Sequence, residues 1–168
     1  MKVIKASILL AVALALVSLQ AFKDFYVQPT PSMTLLEKKI GTEVLEVLQH
    51  PASVIVFSVE PKKLPKHYTS TSAETMLPTE LTTEFQKLLL NDKHFVFGMN
   101  KRSPFLPYIA FKFHNENEES ILLLISSSSN QIKILVEETN YLLDYEPSRA
   151  EMNAFIKKVE ELYELNLF

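Results

Sequence analysis

Four histidines, a run of four serines and a scatter of acids are the side chains in this sequence able to do covalent or metal chemistry. Serine hydrolysis needs an exposed Ser, a His that takes its proton and an acid that orients the His. Ser126-Ser127-Ser128-Ser129 is the one conspicuous serine cluster. It falls at a turn between two strand-like segments, where Ser is favoured for its short hydrogen-bonding side chain. Glycine occurs only at 41 and 98, so neither a Gly-x-Ser-x-Gly elbow nor a glycine-rich phosphate cradle can be assembled. His50, His67, His94 and His114 never pair at i, i+4, and there is no His-Glu-x-x-His. His114-Asn115-Glu116 with Glu118 and Glu119 reads as a solvated hairpin tip. The 20 acids spread over every segment, and none stands in an apolar stretch that would raise its pKa for acid–base work. The absence of cysteine excludes thiol nucleophiles, thiol redox chemistry and thiolate metal sites. No catalytic residue, metal ligand or cofactor is therefore expected.

Binding is better served. Residues 60–78 form the longest irregular stretch, with Pro61, Pro65, Pro78 and the polar run Thr69-Ser70-Thr71-Ser72. A loop of that length inside a compact domain is uncommon and usually functional or disordered. It carries the basic residues Lys62, Lys63 and Lys66, either a solvated patch or a site for an anionic ligand, and His67, its only histidine. A second candidate site is the turn after the serine run, with Ser126, Ser128 and Asn130. In Lys101-Arg102-Ser103-Pro104-Phe105-Leu106-Pro107 two prolines bracket a Phe-Leu pair, a stiff extended entry to the next strand. Its role is first structural; Arg102, presented at a sheet edge, is the binding alternative.

The elements that must position these residues follow from periodicity. Leu36, Ile40, Val44 and Leu48 form a helical stripe over 34–49, and Thr34 with Glu37 fits a capping box. Gly41 inside that helix costs about 1 kcal/mol against Ala, which suggests close packing there. Ser53 to Val59 is β-branched and aromatic, a strand with Ile55, Phe57 and Val59 on one face. Leu81, Phe85, Leu88 and Leu89 mark a second helix over 79–90. Strand-like segments follow at His94–Met99, Tyr108–Phe113, Ser120–Ser126 and Gln131–Glu137, with a short edge at Tyr141–Leu143. Ile121 to Ile125 is apolar throughout, which fits a central strand covered on both faces or a strand whose second face meets a partner. Ser148 and Glu151 suggest a second capping box opening a third helix, whose apolar face is Phe155, Val159, Leu162 and Tyr163. Leu165, Leu167 and Phe168 follow, expected to dock on the sheet, with a partner contact as the alternative. Short turns between strands and no βαβ alternation predict an α+β fold. It is an antiparallel β-meander of about five strands with three amphipathic helices packed mainly on one face.

Residues 1–21 stand apart. Lys2 and Lys5 precede an apolar run from Ser7 to Leu19, and Ala21 offers a small residue at a cut point, the pattern of a secretory signal peptide. An uncleaved anchor is the alternative, but the run is short of the ~20 residues that span a bilayer. Residues 22–168 then form a single domain with no membrane span. Losing Lys2 and Lys5 takes the formal charge from −3 to −5, a poor balance for phosphate backbones, so no nucleic-acid partner is expected. With 47% hydrophobic residues the chain is not a polar disordered one. It contains no Cys to form disulfides, so its core must carry the fold, which a chain of about 150 residues normally manages.

The entry at Lys101 to Pro107, the strand end from Ile121 to Ser129, the following Asn130-Gln131-Ile132 and the helix from Ser148 together resemble a family of exported bacterial proteins of unassigned function. Its members carry a Lys-x-Cys-x-Phe-x-Pro entry and a meander strand ending in Cys-Phe-x-Cys. The likeness spans about residues 85–163. Ser103, Ser126 and Ser129 stand where that family has Cys, so any bond or metal built on those thiols is lost here. The resemblance implies architecture and export, and no activity.

These observations favour an exported domain, periplasmic or secreted, that binds rather than catalyses, with an envelope protein as the candidate partner. Two alternatives stay open. One is a small hydrolase or transferase with a loop-borne site, for which His67 would be the first residue to test. The other is an inhibitor or partner that acts by strand addition at an open sheet edge.

Overall fold

A computed structural model describes residues 33–60, 68–98, 101–117 and 119–163. The expected signal segment, loop positions Lys62, Lys63, Lys66 and His67, and the C-terminal Leu165, Leu167 and Phe168 lie outside the described residues. In chain order the elements are α1 (Leu35–Ile40), α2 (Thr42–Gln49), β1 (Ser53–Glu60), β2 (Thr69–Ser70), β3 (Thr75–Met76) and α3 (Thr79–Leu89). They continue with β4 (Ile109–His114), β5 (Ser120–Ser126), β6 (Gln131–Val136), β7 (Thr139–Asp144) and α4 (Arg149–Tyr163). Asp92–His94 and Glu146–Ser148 are single 3-10 turns. The strands form one antiparallel sheet in the order β2-β1-β4-β5-β6-β7, with β3 also on β1. The fold is α+β, and its five long strands are a meander. Among the described residues no helix is long and apolar enough to cross a membrane.

Alternation along the strands divides the sheet into two faces. Val54, Val56, Ile109, Phe111, Phe113, Ile121, Leu123, Ile125, Ile132, Ile134 and Leu143 point to the helices and share one core with them. Phe85 of α3 is its centre: its ring stacks on Phe155 of α4 at 4.8 Å and meets Phe111 of β4 at 4.4 Å. On the opposite face Phe57, Val59, Ala110 and Leu124 form a smaller cluster to which, among the described residues, no helix contributes. Tyr68 and Phe105 cover part of it, and Lys133 lies over the Phe105 ring at 4.5 Å. Ile55, Phe57 and Val59 do share a face, as their spacing predicts.

Several expectations need correction. The first helix is two: at Gly41 the backbone turns to φ 87, ψ 157, a region open essentially to Gly alone. Nothing lies within 4 Å of where a Cβ would sit, so this glycine serves the backbone bend and not close packing. Thr34 caps α1 by accepting the Glu37 N–H at 3.0 Å, but the Glu37 carboxylate turns forward to Thr42. The described part of the expected His94–Met99 strand, residues 94–98, is not a strand. Asp92 turns the chain to receive the N–H groups of Leu35 and Leu36 at 2.7 and 3.0 Å, and only Val96 bridges to the sheet. Its apolar run reflects Phe95 packing into the core. The 60–78 stretch is not irregular throughout, since β2 and β3 both pair with β1. Between those pairings the outer strand carries two more residues than β1, and the Ser72 hydroxyl fills the gap by accepting the Ser58 N–H at 2.8 Å. The expected short edge at Tyr141–Leu143 is the full strand β7. Ser148 does not act as a capping acceptor: its hydroxyl donates to the carbonyls of His94 and Tyr145.

Candidate functional site

The β5–β6 hairpin closes through Ser127–Asn130, with Asn130 in the left-handed region at φ 52, which Asn tolerates better than most residues. Ser126, the last residue of β5, is fully buried. Its hydroxyl lies 3.0 Å from Ser129 Oγ and 3.1 Å from Ser128 Oγ and accepts the Leu106 N–H at 3.2 Å, while its carbonyl accepts the Tyr145 phenol at 3.3 Å. Beneath the turn, Lys101 Nζ meets Asp144 Oδ1 at 2.9 Å, Glu146 Oε2 at 2.8 Å and the Ser129 carbonyl at 3.1 Å. Asn130 Nδ2 donates to the same Glu146 carboxylate at 3.0 Å.

Each group in this knot is committed. Three acceptors use all three donors of the Lys101 ammonium. Burial pulls its pKa down, but the hydrogen bonds and charges of Glu146 and Asp144 outweigh that and hold it above the ordinary value. The Lys101 bond, then Asn130, hold the Glu146 carboxyl below its usual range. Burial pushes the Tyr145 phenol well up. Burial also raises Tyr108, partly offset by a hydrogen bond with Ser127. A lysine held charged and phenols held neutral do not supply a nucleophile or a base near neutral pH. The nearest histidine in sequence to Lys101, His94, has its ring on the Leu88 carbonyl and on Asn91. Among the described residues no group of three or more His, Asp or Glu could hold a metal ion. The knot joins the 101–106 entry, the serine turn and the start of α4.

Of the residues singled out from sequence, Ser126, Ser128 and Asn130 thus come together. Ser126 is enclosed, Asn130 is half-buried on Glu146, and Ser128 is exposed. Arg102 is exposed beside the knot, and among the described residues it makes no ion pair. Of Ser103, Ser126 and Ser129, the last two touch, while Ser103 is exposed and makes no bond to either.

A different surface has unmet bonding capacity. β7 pairs with β6 on one side only. Among the described residues one main-chain bond is made on its outer side: the Val96 N–H donates to the Asp144 carbonyl at 2.8 Å. Backbone groups alternate in direction along a strand, so Leu142 and Asn140 also point outwards, while Leu143, Tyr141 and Thr139 bond to β6. Thr139 to Leu143 contains no charge and no proline. Natural edges are usually protected by such residues or by a bulge. Beside this edge, where α1 meets α2, lies a groove of about 420 Å³ lined by Ile40, Gly41, Thr42, Val136, Thr139 and Tyr141. It adjoins a second of about 460 Å³ between α2 and the ends of β5 and β6, and the two share Glu43, Val44, Val136 and Glu137. Sequence reasoning missed this location, because an edge is a property of topology. Its one local signal was the Glu137-Glu138 turn between two strand-like runs.

Comparison of the chain with known protein families, with curated proteins and with solved structures gives no match.

Proposed function

We propose that the domain is an exported binding module that takes an extended segment of an envelope protein as an added strand on β7. One observation carries this reading: among the described residues Asn140 and Leu142 present N–H and C=O groups outwards with no main-chain partner, in an uncharged stretch with a groove beside it. Strand addition supplies affinity through main-chain hydrogen bonds and specificity through pockets for alternate side chains, and the edge and the groove are suited to these two roles. The Lys101 knot has the opposite character, since its donors and acceptors already satisfy one another. It is the brace that keeps the end of β7 in place through Asp144.

The test is a pull-down of the full chain from an envelope extract, run beside Leu142→Pro. Proline at an outward position removes a free edge donor and leaves the bonds to β6 intact. A stoichiometric partner lost in this variant, with the fold retained, is the expected result. A partner held equally by the variant, or none captured, would overturn the proposal.

A further inference from the structure

The chemistry of the segment that β7 accepts can be narrowed, and the argument rests on the reading of β7 as a docking edge. The addable stretch is short. The Val96–Asp144 bond closes it at one end and the Glu137-Glu138 turn ends it at the other. An incoming strand that bonds to Asn140 and Leu142 therefore has its end above that turn and beside the adjoining grooves.

That end is acidic. Glu43 and Glu137 line both grooves, Glu119 lines the second, and Glu138 is exposed at the turn. Among the described residues none of the four makes an ion pair. Lys38 and Lys39, the nearest basic residues in the chain before Gly41, are exposed and line neither groove. Between the carboxylates the floor is aliphatic, formed by Val44, Val47, Ile121 and Val136. Glu137 sits at φ 48, the positive φ that the two-residue hairpin turn between β6 and β7 calls for at its first position. A long basic side chain fits such a place, because its aliphatic stem packs on the valines while its charge stays near the carboxylates.

We infer that the partner is an extended, alternating segment with a lysine or arginine at the end that lies over the Glu137-Glu138 turn. Basic residues there add charge attraction and speed of encounter, and an acidic segment is rejected at the same place.

The probes are three eight-residue peptides of alternating Thr and Val, blocked at both termini and carrying Lys, Gln or Glu at both ends. Their binding to the full chain is measured by calorimetry at low and high salt. The Lys peptide is expected to bind at least tenfold more tightly than the Glu peptide and to weaken as salt rises. Glu43→Gln together with Glu137→Gln lowers its affinity about fivefold, the effect of two exposed pairs. Leu142→Pro abolishes binding, and Asn140→Pro, which removes the other outward donor, repeats the test in a second variant; circular dichroism confirms that each is folded. If all three peptides bind equally and the proline variants abolish binding, the edge stands and the basic partner is wrong. If the Lys peptide binds the folded proline variants unchanged, the edge itself is wrong. If no peptide binds, both fail.

Discussion

The Val96 N–H lies 2.8 Å from the Asp144 carbonyl, and this bond is where the protected part of the β7 edge stops. Beyond it towards the turn, alternate residues of β7 face outwards without a main-chain partner among the described residues. Proline substitutions read this parity directly. Leu142→Pro should cost no more than about 2 kcal/mol, since a half-buried side chain and a solvent-facing N–H are lost but no bond to β6. Tyr141→Pro should cost about 3 kcal/mol or more, because its N–H faces β6 and is a ladder donor. Thermal melts of both variants check the parity; equal losses would contradict it.

Gly41 offers a test in which two readings differ in sign. In the middle of a regular helix, Gly41→Ala would stabilise by about 1 kcal/mol. At φ 87, ψ 157 the same change should destabilise by about 1–3 kcal/mol, although no atom obstructs the new methyl group. Urea denaturation gives the sign.

Lys101→Met leaves Asp144, almost fully buried, without its cation, and should cost about 3 kcal/mol. The pH dependence follows from the direction of each shift. Lys101 has a folded pKa above its ordinary 10.5, so its contribution is complete below 10.5 and is lost as pH rises through the folded value. Glu146 has a folded pKa below its ordinary 4.5, so its contribution is present above 4.5 and is lost as pH falls through the folded value. The joint contribution of Lys101 and Glu146 should therefore be flat between these limits. The decline above pH 10.5 should be smaller in Lys101→Met than in the parent.

The serine turn should behave as packed structure. Ser126→Ala leaves the Leu106 N–H without its buried acceptor and should cost about 1–3 kcal/mol. Ser128→Ala, on an exposed residue, should change stability by less than about 0.5 kcal/mol. If Ser128→Ala abolished partner capture while leaving the melt unchanged, the turn and not β7 would be the docking surface.

Much of the architecture is legible because burial leaves a period. Ile109, Phe111 and Phe113 alternate with half-exposed or small neighbours, and the strand follows. The stripe Leu36, Ile40, Val44, Leu48 is equally clear, yet it conceals the break at Gly41: the four-residue spacing continues across a bend between two short helices. Phe95-Val96-Phe97 has the composition of a strand, but Asp92 is drawn to the start of α1, a contact over more than fifty residues. The sites were less legible for the same reason. The four serines announce a turn, but their bracing by Lys101 and Asp144 depends on residues far apart in the chain. β7 reads as a short apolar run; that it is the outermost strand follows only from the order of the sheet.

The most direct measurement is amide hydrogen exchange along β7, in the full chain alone and with the Lys-ended peptide. Thr139, Tyr141 and Leu143 should be protected in both states. Asn140 and Leu142 should exchange quickly in the free chain and slow by at least tenfold in the complex. Slow exchange at Asn140 and Leu142 in the free chain, or no change when the peptide is bound, would show that the β7 edge is not where a partner docks.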